Sequence, residues 1–195
     1  MKNLIYPLFI ILILIQCINP DNKINIKKDE DKKLSIETGK NFVLNTQSEL
    51  SKNLIKAINE NGTDYAFEFC SINALSVTDS ISKLLNAKIK RVSDKNRNPK
   101  NKANKDELAY IDFAKKEIEK GRNPLPKTNI NNKKNTVYYP IISNQMCLQC
   151  HGKVNTEIKP STMAKINKMY PYDLATDYNI NEIRGIWVVE MNKKI

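Results

Sequence analysis

The chain of 195 residues has one histidine, and that histidine closes a quintet: Cys147-Leu148-Gln149-Cys150-His151. Nothing else in the sequence restricts the fold so much. A single imidazole excludes every site that takes two or three histidines from one chain, and with them most diiron and zinc-hydrolase constellations. C-x-x-C-H is the spacing of covalent haem attachment. Two thiols add to the two vinyl groups of the ring, the two-residue spacer matches their separation, and the next histidine lies under the iron as proximal ligand. C-x-x-C by itself also serves redox disulfides and zinc knuckles. A zinc site would draw on Cys147, Cys150, His151 and Cys70. Adjacent Cys150 and His151 cannot easily turn toward one tetrahedral ion, however, and no second C-x-x-C completes a ribbon. The expectation is one covalent haem c, with Cys147 and Cys150 as its thioethers and His151 on the iron.

Residues 1–16, MKNLIYPLFIILILIQ, place one lysine before a nearly continuous apolar run. The run is shorter than the about 20 residues of a spanning helix, and it fits the core of a secretory signal. Leu14-Ile15-Gln16-Cys17 resembles a bacterial lipobox, in which Cys17 would be acylated and become the mature N-terminus, although Gln16 stands where a small residue is usual. Residues 17–33 are almost free of apolar side chains and read as a flexible polar tether. A single domain, 34–195, would then sit outside the cytoplasm, in the periplasm or at an outer surface, held to a membrane by its lipid. The 32 Lys and Arg against 21 Asp and Glu give a formal charge of +11. They are scattered and not interleaved with aromatics, which excludes a nucleic-acid footprint; an acidic redox partner or anionic lipid suits such a charge better.

Along the domain, apolar residues from Phe42 to Ile58 recur at helical spacing until Asn61-Gly62 closes the helix. Ala66, Cys70, Ala74, Val77, Ile81 and Leu84 form one stripe of a second helix, which puts Cys70 on its inner face. Residues 87–93 alternate and read as a strand, 94–107 as a polar loop, and 108–119 as a helix. Residues 136–143 are strand-like with Pro140 at an edge or end, 153–182 are irregular with a helical turn or two, and 184–191 are the clearest strand. Helices and strands without βαβ alternation imply an α+β fold.

The iron's other ligand is open on spacing alone. Met163, Met169 and Met191 are candidates, as are a Lys or Tyr, no ligand at all, and Cys70, whose plain reading is a small buried hydrophobe; Met146 abuts Cys147 and cannot reach the far side. Ala66 to Ala74 (AFEFCSINA), Lys90 to Asn101 (KRVSDKNRNPKN), Tyr139-Pro140, Cys147 to Gly152 (CLQCHG) and Tyr170 to Gly185 (YPYDLATDYNINEIRG) together resemble the c-haem-binding PAS-like domains, over roughly residues 40–192. The resemblance implies a PAS-like antiparallel sheet with packed helices, His151 as one axial ligand and Cys70 as the other. Thiolate ligation would favour ferric iron and a low potential. The family commonly has Gly-Tyr and then Gly-Asp before the Arg-Gly; here Asp177-Tyr178 and Asn181-Glu182 stand in those places.

Arg97 and Arg91 are candidates to meet a haem propionate, which needs a charge-assisted partner when partly buried, while Asn98-Pro99 reads as a turn. Tyr139, Tyr170 and Trp187 read as core or pocket-wall aromatics. A six-coordinate iron has no open site, and the chain has no distal histidine for a peroxidase. The expected function is therefore a redox sensor, with gas binding as a variant of it, and a c-type electron carrier is the alternative.

Overall fold

The computed structural model describes residues 20–130 and 134–192. Its elements are α1 (Pro20–Leu84), β1 (Ala87–Val92), α2 (Lys105–Glu119), β2 (Lys127–Ile130), β3 (Lys134–Ile142), α3 (Gln145–His151), α4 (Pro160–Met169) and β4 (Ile183–Asn192). The four strands form one antiparallel sheet in the order β1-β4-β3-β2. This is the α+β, PAS-like architecture expected.

The clearest strand in the sequence, β4, lies inside the sheet, and its buried run Gly185 to Val189 follows from that place. One face of the sheet (Ile89, Val137, Tyr139, Trp187, Val189) packs on Ile36, Phe42, Val43 and Leu50 of α1. The other (Val92, Tyr138, Ile186, Val188) packs on Tyr110, Ile111 and Ala114 of α2. Strand alternation sends successive side chains to opposite faces, so both faces can carry an apolar layer.

Several expectations meet corrections. Helix α1 starts at Pro20, so residues 20–33, expected as a flexible tether, are helical. That run has good helix formers in Lys and Glu but little to bury, and Lys28 to Glu30 are exposed. Helix α2 begins at Lys105, three residues before the expected Leu108, because Asn104 and Glu107 make a reciprocal capping box. Strand β2 was not anticipated. KTNI lacks a long apolar pattern, and only pairing with Asn135–Tyr138 of β3 makes it a strand. Pro140 lies at a local edge, as expected: it pairs with Ile186 on one side only. Strand β2 stops opposite Tyr138, so beyond it β3 has one neighbour only, the condition under which a strand accepts proline.

Gly62 divides α1 into two arms. Its φ of 78° and ψ of 176° lie in a region open essentially to glycine alone. The helix break read from Asn61-Gly62 is this kink. The first arm seats on the sheet through Gly39, where a β-carbon would come within 3.0 Å of the Tyr139 hydroxyl. That hydroxyl donates to the Ile36 carbonyl at 2.6 Å. The second arm packs on α4 through Phe67, Ile158 and Ile166.

Candidate functional site

The two arms of α1, the attachment helix α3 and one end of the sheet enclose a cavity of about 390 Å³. That size falls within the about 300–1,000 Å³ of small-molecule pockets. The second arm contributes Ala66, Cys70 and Ala74, so the stripe read from the sequence faces this space and Cys70 is half-buried at its wall. The first arm adds Leu50 and Leu54, and α3 adds Cys147, Cys150 and His151. Arg91, Arg97 and Trp187 also line it. The kink at Gly62 is what lets one helix wall the cavity twice. Among the methionines of the described residues only Met146 borders it. Met163 packs beside Phe67, Met191 packs on the sheet, and Met169 is exposed, with its sulfur accepting a bond from the Ser71 hydroxyl at 3.5 Å. Cys17 and residues 1–16 lie outside the described residues.

Helix α3 is short and capped. The Asn144 side chain accepts from the backbone N–H of Met146 and Cys147. Thr63, just after the kink, donates from its hydroxyl to Gln149 at 2.7 Å. The His151 Nδ1 lies 2.8 Å from the Ala175 carbonyl. A carbonyl only accepts, so Nδ1 carries the proton and Nε2 keeps its lone pair, the tautomer of a metal ligand. Burial, then the nearby Arg184 and Arg97 guanidiniums, hold the imidazole well below its usual range, and the bond to Ala175 opposes them only in part. Burial pushes the Cys150 thiol up to about 11. Burial also raises Cys70, opposed by Arg91.

The loop over His151 is pinned by the basic run 94–98. The Arg97 Nη2 donates to the Cys150 carbonyl at 2.7 Å, to Asp173 Oδ2 at 2.9 Å and to the Ala175 carbonyl at 3.4 Å. Asp173 in turn accepts from the Ala175 N–H at 2.9 Å. Lys95 donates to the Thr176 carbonyl at 2.8 Å. One guanidinium thus ties the second attachment cysteine to the residue that orients the imidazole. Asn98 caps the short 3₁₀ turn Pro99–Asn101, as its sequence suggested.

Asp177 and Asn181, which stand where the resembled family commonly has glycine, take φ of 63° and 65°. These left-handed positions suit glycine, and Asp and Asn are the residues that best tolerate them. The loop keeps its turns without glycine. Arg184 escaped the sequence reading. It sits at the start of β4 beside the cavity, over the Tyr178 ring at 5.3 Å. Its signals were a charge beginning an apolar strand and its place in the Arg-Gly that closes the resembling stretch.

The donor set fits a covalently held haem. Two thiols and a neutral imidazole border one largely apolar cavity. Arg97 and Arg184 each keep a buried Nε without a hydrogen-bond partner among the described residues. Such atoms suit a carboxylate.

A family model described as Tll0287-like matches residues 21–192. No curated protein matches the chain. Among solved structures, the crystal structure of the cyanobacterial heme-protein Tll0287 is similar at a TM-score of 0.59 and 19% identity, covering 81% of this chain and 96% of that one. At that identity the likeness is one of fold.

Proposed function

We propose, on the premise that the chain belongs to the Tll0287-like family, that it is an exported single-haem protein that senses redox state. The observation that carries this reading is the shared cavity: Cys147, Cys150, His151 and Cys70 border one space though they come from two elements far apart in sequence. The similar solved structure is that of a heme-protein, which supports the same ligand here. Cys147 and Cys150 would hold haem c by thioethers, and His151 and Cys70 would bind its iron. Cys17 would tether the protein to a membrane. Once bound, the haem supplies a reversible one-electron change at iron, and thiolate ligation favours the ferric form.

The chain's own part is mechanical. Cys70 lies eight residues beyond the Gly62 kink. Its arm is bound to α4 by Thr162 donating to Asp64, by Lys165 pairing with Glu68 at 2.6 Å and by the Phe67 cluster. A change in what Cys70 binds would move the second arm and α4 as one body. The other arm stays on the sheet through Tyr139.

A pyridine haemochrome spectrum of the matured protein tests the cofactor, and Cys70→Ala tests the ligand. An unchanged ferric spectrum in Cys70→Ala refutes Cys70 as a ligand. A second reading, the electron carrier, rests on the loop that carries Ala175. Its Tyr172 is 85% exposed and its Leu174 54%, and Lys153 and Lys168 of the adjoining segments are exposed too. Exposed apolar and basic side chains on this loop and the adjoining segments would suit an acidic partner. A midpoint potential well above zero would favour it.

A further inference from the structure

The wall of the cavity carries more positive charge than it can balance. Arg91, Arg97 and Arg184 all act on His151. Arginine does not shed its proton, so burial must be answered by an anion. Arg97 has one: Asp173, at 2.9 Å, with side chains 9% and 4% exposed. Asp94 lies nearby but pairs with Lys115. For Arg91 and Arg184 no ion pair exists among the described residues. Arg91 rests on the Trp187 ring at 5.4 Å. Arg184 donates to the Lys95 carbonyl at 3.3 Å and leaves its Nε buried and unbonded. Aromatic faces and one carbonyl do not neutralise a guanidinium. The two also repel each other, and burial weakens both as cations.

We propose that Arg184, together with Arg91, forms a dicarboxylate site in this cavity, and that it takes the two propionates of the haem. The inference rests on the haem reading above. The count agrees with the ligand: three guanidiniums less one aspartate leave two charges for two carboxylates. Arg97, the sequence's first candidate for this role, is tied to Cys150 and Ala175 and has its charge met by Asp173, so its idle Nε would make at most a secondary contact. A guanidinium fork binds a carboxylate through two parallel N–H donors, which suits Arg184, whose Nε is buried and idle and whose charge has no carboxylate partner among the described residues.

The test uses the full chain matured with haem, as wild type, Arg184→Gln and Arg184→Lys. The readouts are the midpoint potential and the carboxylate stretching bands in the oxidised-minus-reduced infrared spectrum. Loss of a cation beside the ring favours ferric iron. Arg184→Gln is expected to shift the ferric-to-ferrous ratio at fixed potential about tenfold, a fall of about 59 mV for one electron. It is also expected to move the carboxylate bands. Arg184→Lys keeps the charge but not the fork, so the potential stays near wild type while the bands move. A purely structural Arg184 would leave the bands in place in both variants, and that result overturns the proposal. If Arg184→Gln does not mature, the bands of Arg184→Lys decide alone. A wild-type protein without a haemochrome spectrum overturns the haem reading and this inference with it. A haemochrome with unmoved bands overturns this inference only.

Discussion

Replacing Gly39 by alanine reads out how α1 is seated on the sheet, and so how the cavity gets its first wall. An alanine in a helix interior ordinarily stabilises by about 1 kcal/mol over glycine. Here the added β-carbon meets the Tyr139 hydroxyl closer than 3.0 Å, while the nearest ring carbons stand at 3.3 Å. The ring cannot retreat freely, since Tyr139 is 6% exposed in the sheet core. Overpacking of this kind costs about 1–3 kcal/mol. Displacing the hydroxyl also breaks its 2.6 Å bond to the Ile36 carbonyl, worth about 1 kcal/mol. Set against the propensity gain, Gly39→Ala should destabilise by about 1–3 kcal/mol. Tyr139→Phe removes the clashing atom and leaves ring contacts that a shift of a few tenths of an ångström relieves. In that background the same alanine should be neutral or stabilising, so the two substitutions couple by about 1–4 kcal/mol. Guanidinium unfolding of the four proteins, at equal m, measures the cycle. If Gly39→Ala destabilises equally with and without the hydroxyl, the contact does not seat the helix and the reasoning fails.

Three other outcomes follow from the site. Asp173→Asn leaves the buried Arg97 without its carboxylate, and loss of one partner from such a pair costs about 3–5 kcal/mol; chemical unfolding and the yield of haem-loaded protein both report it. Asp177→Ala places an ordinary β-carbon at φ 63° and should destabilise by about 1 kcal/mol, whereas Asp177→Gly should not; comparing their melting temperatures at matched pH separates backbone strain from loss of the carboxylate. The Asp64 carboxyl is held below its ordinary 3.8 by hydrogen bonds from Thr162 and Ser161 in the first turn of α4. A lowered folded-state pKa stabilises above the unfolded value and is lost as pH falls through the folded one. The stability difference between wild type and Asp64→Asn should therefore be full at neutral pH and shrink as pH falls below the ordinary 3.8; a difference that does not shrink on acidification would show that the carboxylate charge is not what joins the two helices.

Much of this architecture was legible because its signals are local. The Cys147–His151 quintet carries its chemistry within five residues. Gly62 announces a break because no side chain suits its backbone angles, and the stripe through Ala66, Cys70 and Ala74 names a helix face by period alone. Strand β4 reads clearly because a strand with neighbours on both sides buries nearly every residue. What the stripe faces is a different matter. Periodicity says that Cys70 points inward, but an inner face can meet core or cavity, and only the packing of α1, α3 and the sheet distinguishes them.

The remaining features depend on residues far apart in sequence. Strand β2 has too little apolar pattern to exist without β3, and Pro140 sits comfortably in an interior strand because β2 stops short of it. The helix from Pro20 replaces a tether that composition alone would leave unfolded. The division of labour among the arginines is the plainest case. Arg91, Arg97 and Arg184 look alike in the sequence. Tertiary contacts give Asp173 and two carbonyls to Arg97, a ring to Arg91, and a ring and a single carbonyl to Arg184. The sequence alone determined where covalent chemistry is possible, since that needs only the right atoms at the right spacing. Which charges are buried and which are already answered was decided by the fold, because electrostatic balance is a property of a place in space, and residues 97 and 173 share one only after the chain has closed.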